Sequence, residues 1–177
     1  LEGYVPDIDA TIVSRLLDAG ATIIGKTNQG SFAFGPSFTS DYGPVTNPNA
    51  PNYIIGGSSS GSAAAPAAGE CDIAIGGDQG GSIRQPASWG GIVGLKPTHG
   101  LIPYTGIAGL DSSLDHVGPM ANTVNEVAVT LEIIAGCDGL DPRQPRDLKV
   151  DNYTEALVDD VSDITIAVLN EGFEHED

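Results

Sequence analysis

The sequence is poor in positive charge. Seven Lys and Arg residues stand against 24 Asp and Glu, a formal net charge of −17, and the only lysines are Lys26, Lys96 and Lys149. Nucleic-acid binding relies on Lys and Arg neutralising phosphates, so this composition argues against a nucleic-acid partner, and an anionic membrane surface is disfavoured for the same reason. Long apolar runs are missing as well. Nothing approaches the roughly 18–20 apolar residues that a membrane helix needs. Cysteine is scarce: Cys71 and Cys137 are too few for a disulfide framework, so a reduced, cytoplasmic setting is expected. The opening Leu1-Glu2-Gly3-Tyr4 has neither the basic nor the apolar region of a secretory leader, and the single methionine is Met120.

What is present fits a folded protein. The 177 residues are one domain's worth, 40% hydrophobic and 18% charged. The last quarter, residues 138–177, carries twelve acids against three bases. Two readings of this acidity stand side by side: a solvated surface that keeps the protein soluble, and adaptation to high salt.

Short apolar segments alternate with helical ones, the pattern of an α/β fold. Residues 10–19 read as a helix, with Asp9 as cap, Ile12, Val13, Leu16 and Leu17 on one face and Gly20 as the stop. Buried strands are expected at residues 21–25, 72–75, 92–95 and 164–169. Residues 35–57 and 97–119 read as loops, and 137–154 as an exposed acidic connection. Thr123-Val124-Asn125-Glu126 is a capping box for a helix running to about Ala135, with Val127, Leu131 and Ile134 at helical spacing. Ala63-Ala64-Ala65 is helix-prone, limited by Pro66.

The chemistry is expected where charge is thinnest. Residues 42–110 hold only Glu70, Asp72, Asp78, Arg84 and Lys96, together with two serine–glycine segments. The first, residues 56–62, contains Gly57-Ser58-Ser59-Ser60-Gly61, a match to the G-x-S-x-G elbow with Ser59 as nucleophile. That elbow needs a preceding strand, and Asn49 to Tyr53 reads as a turn. A phosphate loop is weaker still, for its lysine is absent. The second segment, Gly77-Asp78-Gln79-Gly80-Gly81-Ser82-Ile83-Arg84, leaves a strand and enters a helix. Consecutive N–H groups beside Ser82 suit a developing oxyanion, and Asp78 and Arg84 are placed to pair across the turn. An ordinary Gly-rich connection is the plainer alternative.

Ser58 and Ser82, in Gly-Gly-Ser-Ser-Ser-Gly-Ser-Ala-Ala-Ala and Gly-Gly-Asp-Gln-Gly-Gly-Ser-Ile-Arg-Gln-Pro-Ala, strongly resemble the amidase signature family. The likeness extends to residues 20–28, to Gly94-Leu95-Lys96-Pro97-Thr98-His99-Gly100 and to Leu114-Asp115-His116-Val117-Gly118-Pro119-Met120. It implies a mixed β-sheet core flanked by helices, here a partial amidase signature domain over residues 1–177. It also implies hydrolysis of amide C–N bonds by a Ser–cis-Ser–Lys triad without cofactor or metal. Ser82 would be the nucleophile, Ser58 the bridging serine on a cis peptide, and Ser59 a supporting hydroxyl. Gln79, Gly80 and Gly81 would form the oxyanion hole, where one donor is worth ~2.7–4 kcal/mol of barrier. A serine hydroxyl needs a base, and a lysine serves if burial keeps it neutral.

The family's catalytic lysine lies in an upstream motif that has no counterpart in this sequence. Lys26 and Lys96 fall in blocks that do not carry it. The sequence is therefore expected to be an interior piece of a longer amidase, inactive by itself. Gly-Asp-Gln-Gly-Gly-Ser, Leu101 to Gly106, Asp141 to Gln144 and Glu171-Gly172-Phe173 look most like the bacterial amidases that often accompany nitrile hydratase and act on small aliphatic and aromatic monoamides. The alternative within the family is a glutaminase of the kind that serves tRNA-dependent amidotransferases as their A-subunit, which needs partner subunits and fits residues 102–105 less well. An alternative of another class is a non-catalytic scaffold. The expected partner is a small amide, and a homodimer is left open. His99 and His116 read as structural, His175 as solvated, and Cys71 as a small buried residue. Trp89, Phe32 and Phe34 are either core or acyl pocket.

Overall fold

The structure is a computed structural model and describes residues 3–170. The expectations placed on Glu171-Gly172-Phe173 and His175 lie outside the described residues. In chain order the elements are α1 (Thr11–Asp18), β1 (Thr46–Asn47), β2 (Ala50–Ile54), α2 (Ser60–Ala67), β3 (Ile73–Asp78), α3 (Arg84–Gly90), β4 (Val93–Gly94), β5 (His116–Ala121) and α4 (Val124–Ile134). The fold is α/β. β3, β5 and β4 form one sheet in that order, and β1 and β2 form a separate two-stranded ribbon. Every pairing among these strands is antiparallel.

The sheet divides the interior, because side chains alternate along each strand. Ile73, Ile75 and Val117 face one side, where Ile12 and Leu16 of α1 and Leu131 and Ile134 of α4 close over them. Met120 faces the other side with Ile55, Ala63, Ile83 and Ala87. β3 is correspondingly two-faced: Ile73 and Ile75 are bulky, whereas Ala74, Gly76 and Asp78 leave room on the second side. A Cβ on Gly76 would lie 2.8 Å from Met120 Sδ and 3.0 Å from Ser59 Oγ, so only glycine lets the first serine segment rest on the sheet.

α4 forms as its capping box dictates. Thr123 Oγ1 accepts from the Glu126 N–H (3.2 Å), and Glu126 Oε2 accepts from the Thr123 N–H (2.9 Å). Its far end is closed by a residue of α1. Arg15 Nη1 donates to the carbonyls of Ile134 (2.8 Å), Ala135 (2.8 Å) and Gly136 (3.0 Å), and Arg15 Nη2 to that of Cys137 (3.2 Å). Those carbonyls have no partner within the helix, and a cation there also complements its dipole.

Several expected elements differ. Asp9 does not cap α1; Ala10 occupies that position with no side-chain bond. Residues 21–25 and 164–169 are not strands. A strand needs a neighbour to satisfy its backbone, and none lies beside either run among the described residues; Ile24 and Ile166 are 72% and 82% exposed. Three strands lie wholly or mostly inside stretches read as loops, the two-residue β1 among them. β2 occupies residues 50–54, and Asn47 and Asn49 fasten its turn to α3 through the carbonyls of Trp89 (2.7 Å) and Gly90 (2.8 Å). β5 is the middle strand of the sheet although it contains Gly118 and Pro119. Residues 137–154 are not a wholly exposed connection, for Asp141 and Gln144 are buried. No helix among the described residues is long and apolar enough to cross a membrane.

Candidate active site

The two serine segments meet on the second side of the sheet. Small residues make the first one possible. The Gly61 N–H donates to the Asn28 carbonyl (2.7 Å), and a Cβ on Gly61 would stand 2.5 Å from that oxygen. Four buried serines follow from this close packing, and three of them spend their hydroxyls on backbone. Ser59 Oγ donates to the Gly77 carbonyl and accepts from the Gly77 N–H, both at 3.0 Å. Ser60 Oγ donates to the Gly56 carbonyl (2.7 Å) and Ser62 Oγ to that of Ile75 (2.8 Å). Ser58 is the exception. It is 2% exposed and its peptide with Gly57 is cis. Its carbonyl accepts from the Gly30 N–H (3.0 Å), yet its hydroxyl bonds to no described protein group.

β2 does precede Ser59, and α2 follows it, so the strand–turn–helix setting of an elbow exists after all. An elbow nucleophile needs an exposed, unspent hydroxyl. Ser59 is buried and engaged twice with Gly77, so it is a fastener between the segment and β3.

Ser82 lies between β3 and α3, half-buried, with no protein partner for its hydroxyl among the described residues. Its carbonyl accepts from the Ser59 N–H (3.2 Å), which joins the two segments through main chain. The structure thus sets Ser58 and Ser82 on adjoining strips of backbone without a hydrogen bond between their hydroxyls.

Asp78 shapes the loop before Ser82. It is fully buried, and its Oδ1 accepts from the Gly81 N–H (2.7 Å) and Arg84 Nη2 (3.0 Å). Its Oδ2 accepts from the Ile83 N–H (3.1 Å) and Arg84 Nε (3.0 Å). Burial alone would raise this carboxyl. The Arg84 fork and the two N–H groups outweigh burial and hold it below the usual carboxylate range. The pairing of Asp78 with Arg84 is as the sequence suggests. The donors differ from expectation in one respect. The Gly81 N–H is already given to Asp78, so it does not stand open beside Gln79 and Gly80. The N–H groups of Gln79, Gly80 and Ser82 carry no backbone partner.

The lysines do not reach the serines. Lys26 is exposed, and Lys96 Nζ donates to the Pro97 carbonyl (2.8 Å). His99 and His116 meet edge to face at 5.3 Å, each ring bonded to a carbonyl of its own loop. Burial, foremost, lowers the His116 pKa. Cys71 is half-buried, and burial with Asp72 and Glu70 beside it raises its thiol. Phe32, Phe34 and Trp89 are exposed rather than core.

Sequence reasoning missed a second cluster. Gln79 Nε2 donates to Asp115 Oδ1 (2.7 Å), and Arg143 Nη1 donates to the Asp115 carbonyl (3.0 Å). Arg143 also clamps Asp141 at 2.6 Å and stacks over Tyr104, 4.8 Å from the ring centre. Burial, then the nearby Asp115, pushes the Tyr104 phenol up to about 12. Only co-variation among relatives would reveal a contact between residues 79 and 115, because no periodicity links them. Tyr104, Asp115, Asp141 and Arg143 of this cluster line an open cleft of about 510 Å³. A second cleft of similar size is lined by residues around Asn28, Gly30 and Tyr42. Neither has Ser58 or Ser82 in its wall.

Comparison with known proteins places the chain in a family. The family profile described as Amidase matches residues 1–176. The A-subunit of glutamyl-tRNA(Gln) amidotransferase from Methanosarcina acetivorans is 49% identical over 98% of the chain, which spans 36% of that protein. The crystal structure of the protein of the same name from Thermotoga maritima superposes with a TM-score of 0.82. It is 45% identical and covers 85% of this chain and 33% of its own. Native peptide amidase from Stenotrophomonas maltophilia also reaches 0.82, at 44% identity, covering 88% and 33%. The chain spans about a third of the length of these relatives, and over that third it belongs to the amidase (amidase signature) family.

Proposed function

We propose that the chain carries the serine centre of an amidase-family hydrolase that cleaves the C–N bond of a carboxamide. The observation that carries this reading is Ser82. Its hydroxyl is unspent and half-accessible, beside the open N–H groups of Gln79 and Gly80, in a loop pinned by Asp78 and Arg84. In the proposed reaction Ser82 Oγ attacks the carboxamide carbon. Its proton passes through Ser58 Oγ, the unspent hydroxyl of the first serine segment, to an amine base. The negative charge on the carbonyl oxygen is met by the Gln79 and Gly80 N–H groups, with that of Ser82 in place of the Gly81 donor. The nitrogen leaves with the returned proton, and water then frees the acyl group from Ser82.

Two substrates compete: a small monoamide, and glutamine in a glutaminase of the amidotransferase type. The curated relatives favour the second, since those at 46–50% identity are described as the A-subunit of glutamyl-tRNA(Gln) amidotransferase. We therefore read the substrate as the side-chain amide of glutamine, with partner subunits receiving the ammonia.

The test uses the full reading frame that carries this chain. A fluorophosphonate is expected to label Ser82, and Ser82→Ala is expected to lower kcat by roughly 10⁴–10⁶-fold. Release of glutamate from glutamine is expected to exceed hydrolysis of acetamide or benzamide. Faster turnover of the monoamides would restore the first substrate, and a label mapped to another side chain would remove the serine assignment. The 177-residue polypeptide alone is expected to show no turnover.

A further inference from the structure

We propose that Asp115 is a positioning residue for the oxyanion loop, acting through the side-chain amide of Gln79. The inference rests on the reading that Ser82 is the nucleophile of an amidase.

The argument begins with the direction of one amide. A carboxylate only accepts, so the contact between Gln79 and Asp115 Oδ1 (2.7 Å) fixes which end of the amide is Nε2. Gln79 Oε1 then faces the other way, where it is buried with no hydrogen-bond partner. A side chain that leaves its oxygen orphaned is organised around what its nitrogen meets, Asp115 and, beside it, the Tyr104 phenol. Asp115 is 2% exposed and is built to receive it. Its Oδ2 accepts from the N–H groups of Leu110 (2.9 Å) and Asp111 (3.0 Å), so the carboxylate cannot swing away. Arg143 holds the Asp115 carbonyl from the far side, and Arg143 is itself locked by Asp141 and Tyr104. A rigid chain of contacts therefore runs from residues 141–143 through Asp115 to Gln79. The backbone N–H of Gln79 and that of Gly80 next to it are the open donors. The Gln79 side chain is held from this cluster, with the Tyr104 phenol also beside it, so its grip on Asp115 sets where those donors point.

The test reverses the bond. Gln79→Glu sets two carboxylates across the 2.7 Å contact, with Arg143, Tyr104 and Asp111 as the other ionisable groups nearby. Two acids so close share one proton, so activity in this variant is expected near wild type at acidic pH and to fall as the shared proton is lost. Asp115→Asn is expected to lower kcat about tenfold with little change in KM, since a hydrogen bond to a charged acceptor becomes one between amides. The double variant, Gln79→Glu with Asp115→Asn, is the decisive one. The new amide at position 115 would turn its nitrogen to the new carboxylate at position 79, and its oxygen to the Leu110 and Asp111 N–H groups. This variant is expected to recover activity to within about threefold of wild type and to lose the added pH dependence. A Gln79→Glu profile identical to wild type, or a double variant no better than the weaker single one, overturns the proposal. The backbone amide order parameters of Gln79 and Gly80, which need no turnover, are expected to fall in Asp115→Asn; unchanged order parameters also overturn it. Full turnover by Ser82→Ala would instead sink the nucleophile assignment, and the order parameters would still decide the role of Asp115.

Discussion

Asp141 shows how one carboxyl ties stability to pH. The Arg143 guanidinium, foremost, holds it down to about 2, helped by the N–H groups of Tyr104 and Arg143 against the opposing effect of burial. Its pKa in the unfolded chain is about 3.9. The folded value is the lower one, so the stabilisation is complete above pH 4 and disappears as pH falls towards 2. Asp78 and Asp138 are shifted in the same direction and add to the same acid limb. Urea midpoints measured between pH 5 and pH 2 should therefore fall, most of all in this window. In Arg143→Met the loss across the window should shrink by about 1–2 kcal/mol. At this scale the sequence is readable where the partners are close neighbours. Asp78 and Arg84 are six positions apart across a turn, and their pairing follows from charge and spacing. Which N–H an acid takes is not readable, because it depends on loop geometry; hence Gly81, expected to face the oxyanion, faces Asp78 instead.

Among the elements, those that carry their own local chemistry are legible. The capping box starts α4 where Thr123 and Glu126 require. β5 is hidden by its composition. Pro119 is disfavoured in a middle strand because it donates no hydrogen bond, and Gly118 adds no packing to advertise the strand. Gly118 is nonetheless demanded by fit, for a Cβ there would come within 2.1 Å of the Leu95 carbonyl. Residues 21–25 mislead in the opposite sense, since β-branched composition alone makes no strand without a neighbour. The end of α4 also depends on a distant residue. Arg15→Met keeps the aliphatic stem but removes the guanidinium from four carbonyls, of which, among the described residues, only that of Gly136 keeps another donor, Gln144 Nε2 (3.2 Å). We expect a loss of about 2–3 kcal/mol in chemical denaturation, with α4 amides exchanging first.

For the whole molecule, charge is the dominant variable. A net of −17 on 177 residues means that most surface charges repel. Salt screens that repulsion within a Debye length of about 10 Å at 0.1 M and about 3 Å at 1 M. The thermal midpoint is therefore expected to rise from dilute buffer to 1 M KCl and, if the surface is adapted to high salt, to go on rising beyond it. Maximal stability without added salt would remove the high-salt reading. Fold class and both serine segments are visible from the sequence; the tertiary cluster around Asp115 is not, because its members come from three separated stretches of chain.

The sheet of β3, β5 and β4 has independent fillings on its two sides, α1 and α4 against one and the serine segments against the other. Ile12, Leu16, Leu131 and Ile134 belong to a cluster that holds neither serine segment and meets the Asp115 contacts only at Tyr104. The side packed by α1 and α4 can therefore change its packing, and heat tolerance with it, while the seat of the serine segments on the other side stays as it is, so a lineage moving between climates has somewhere to change.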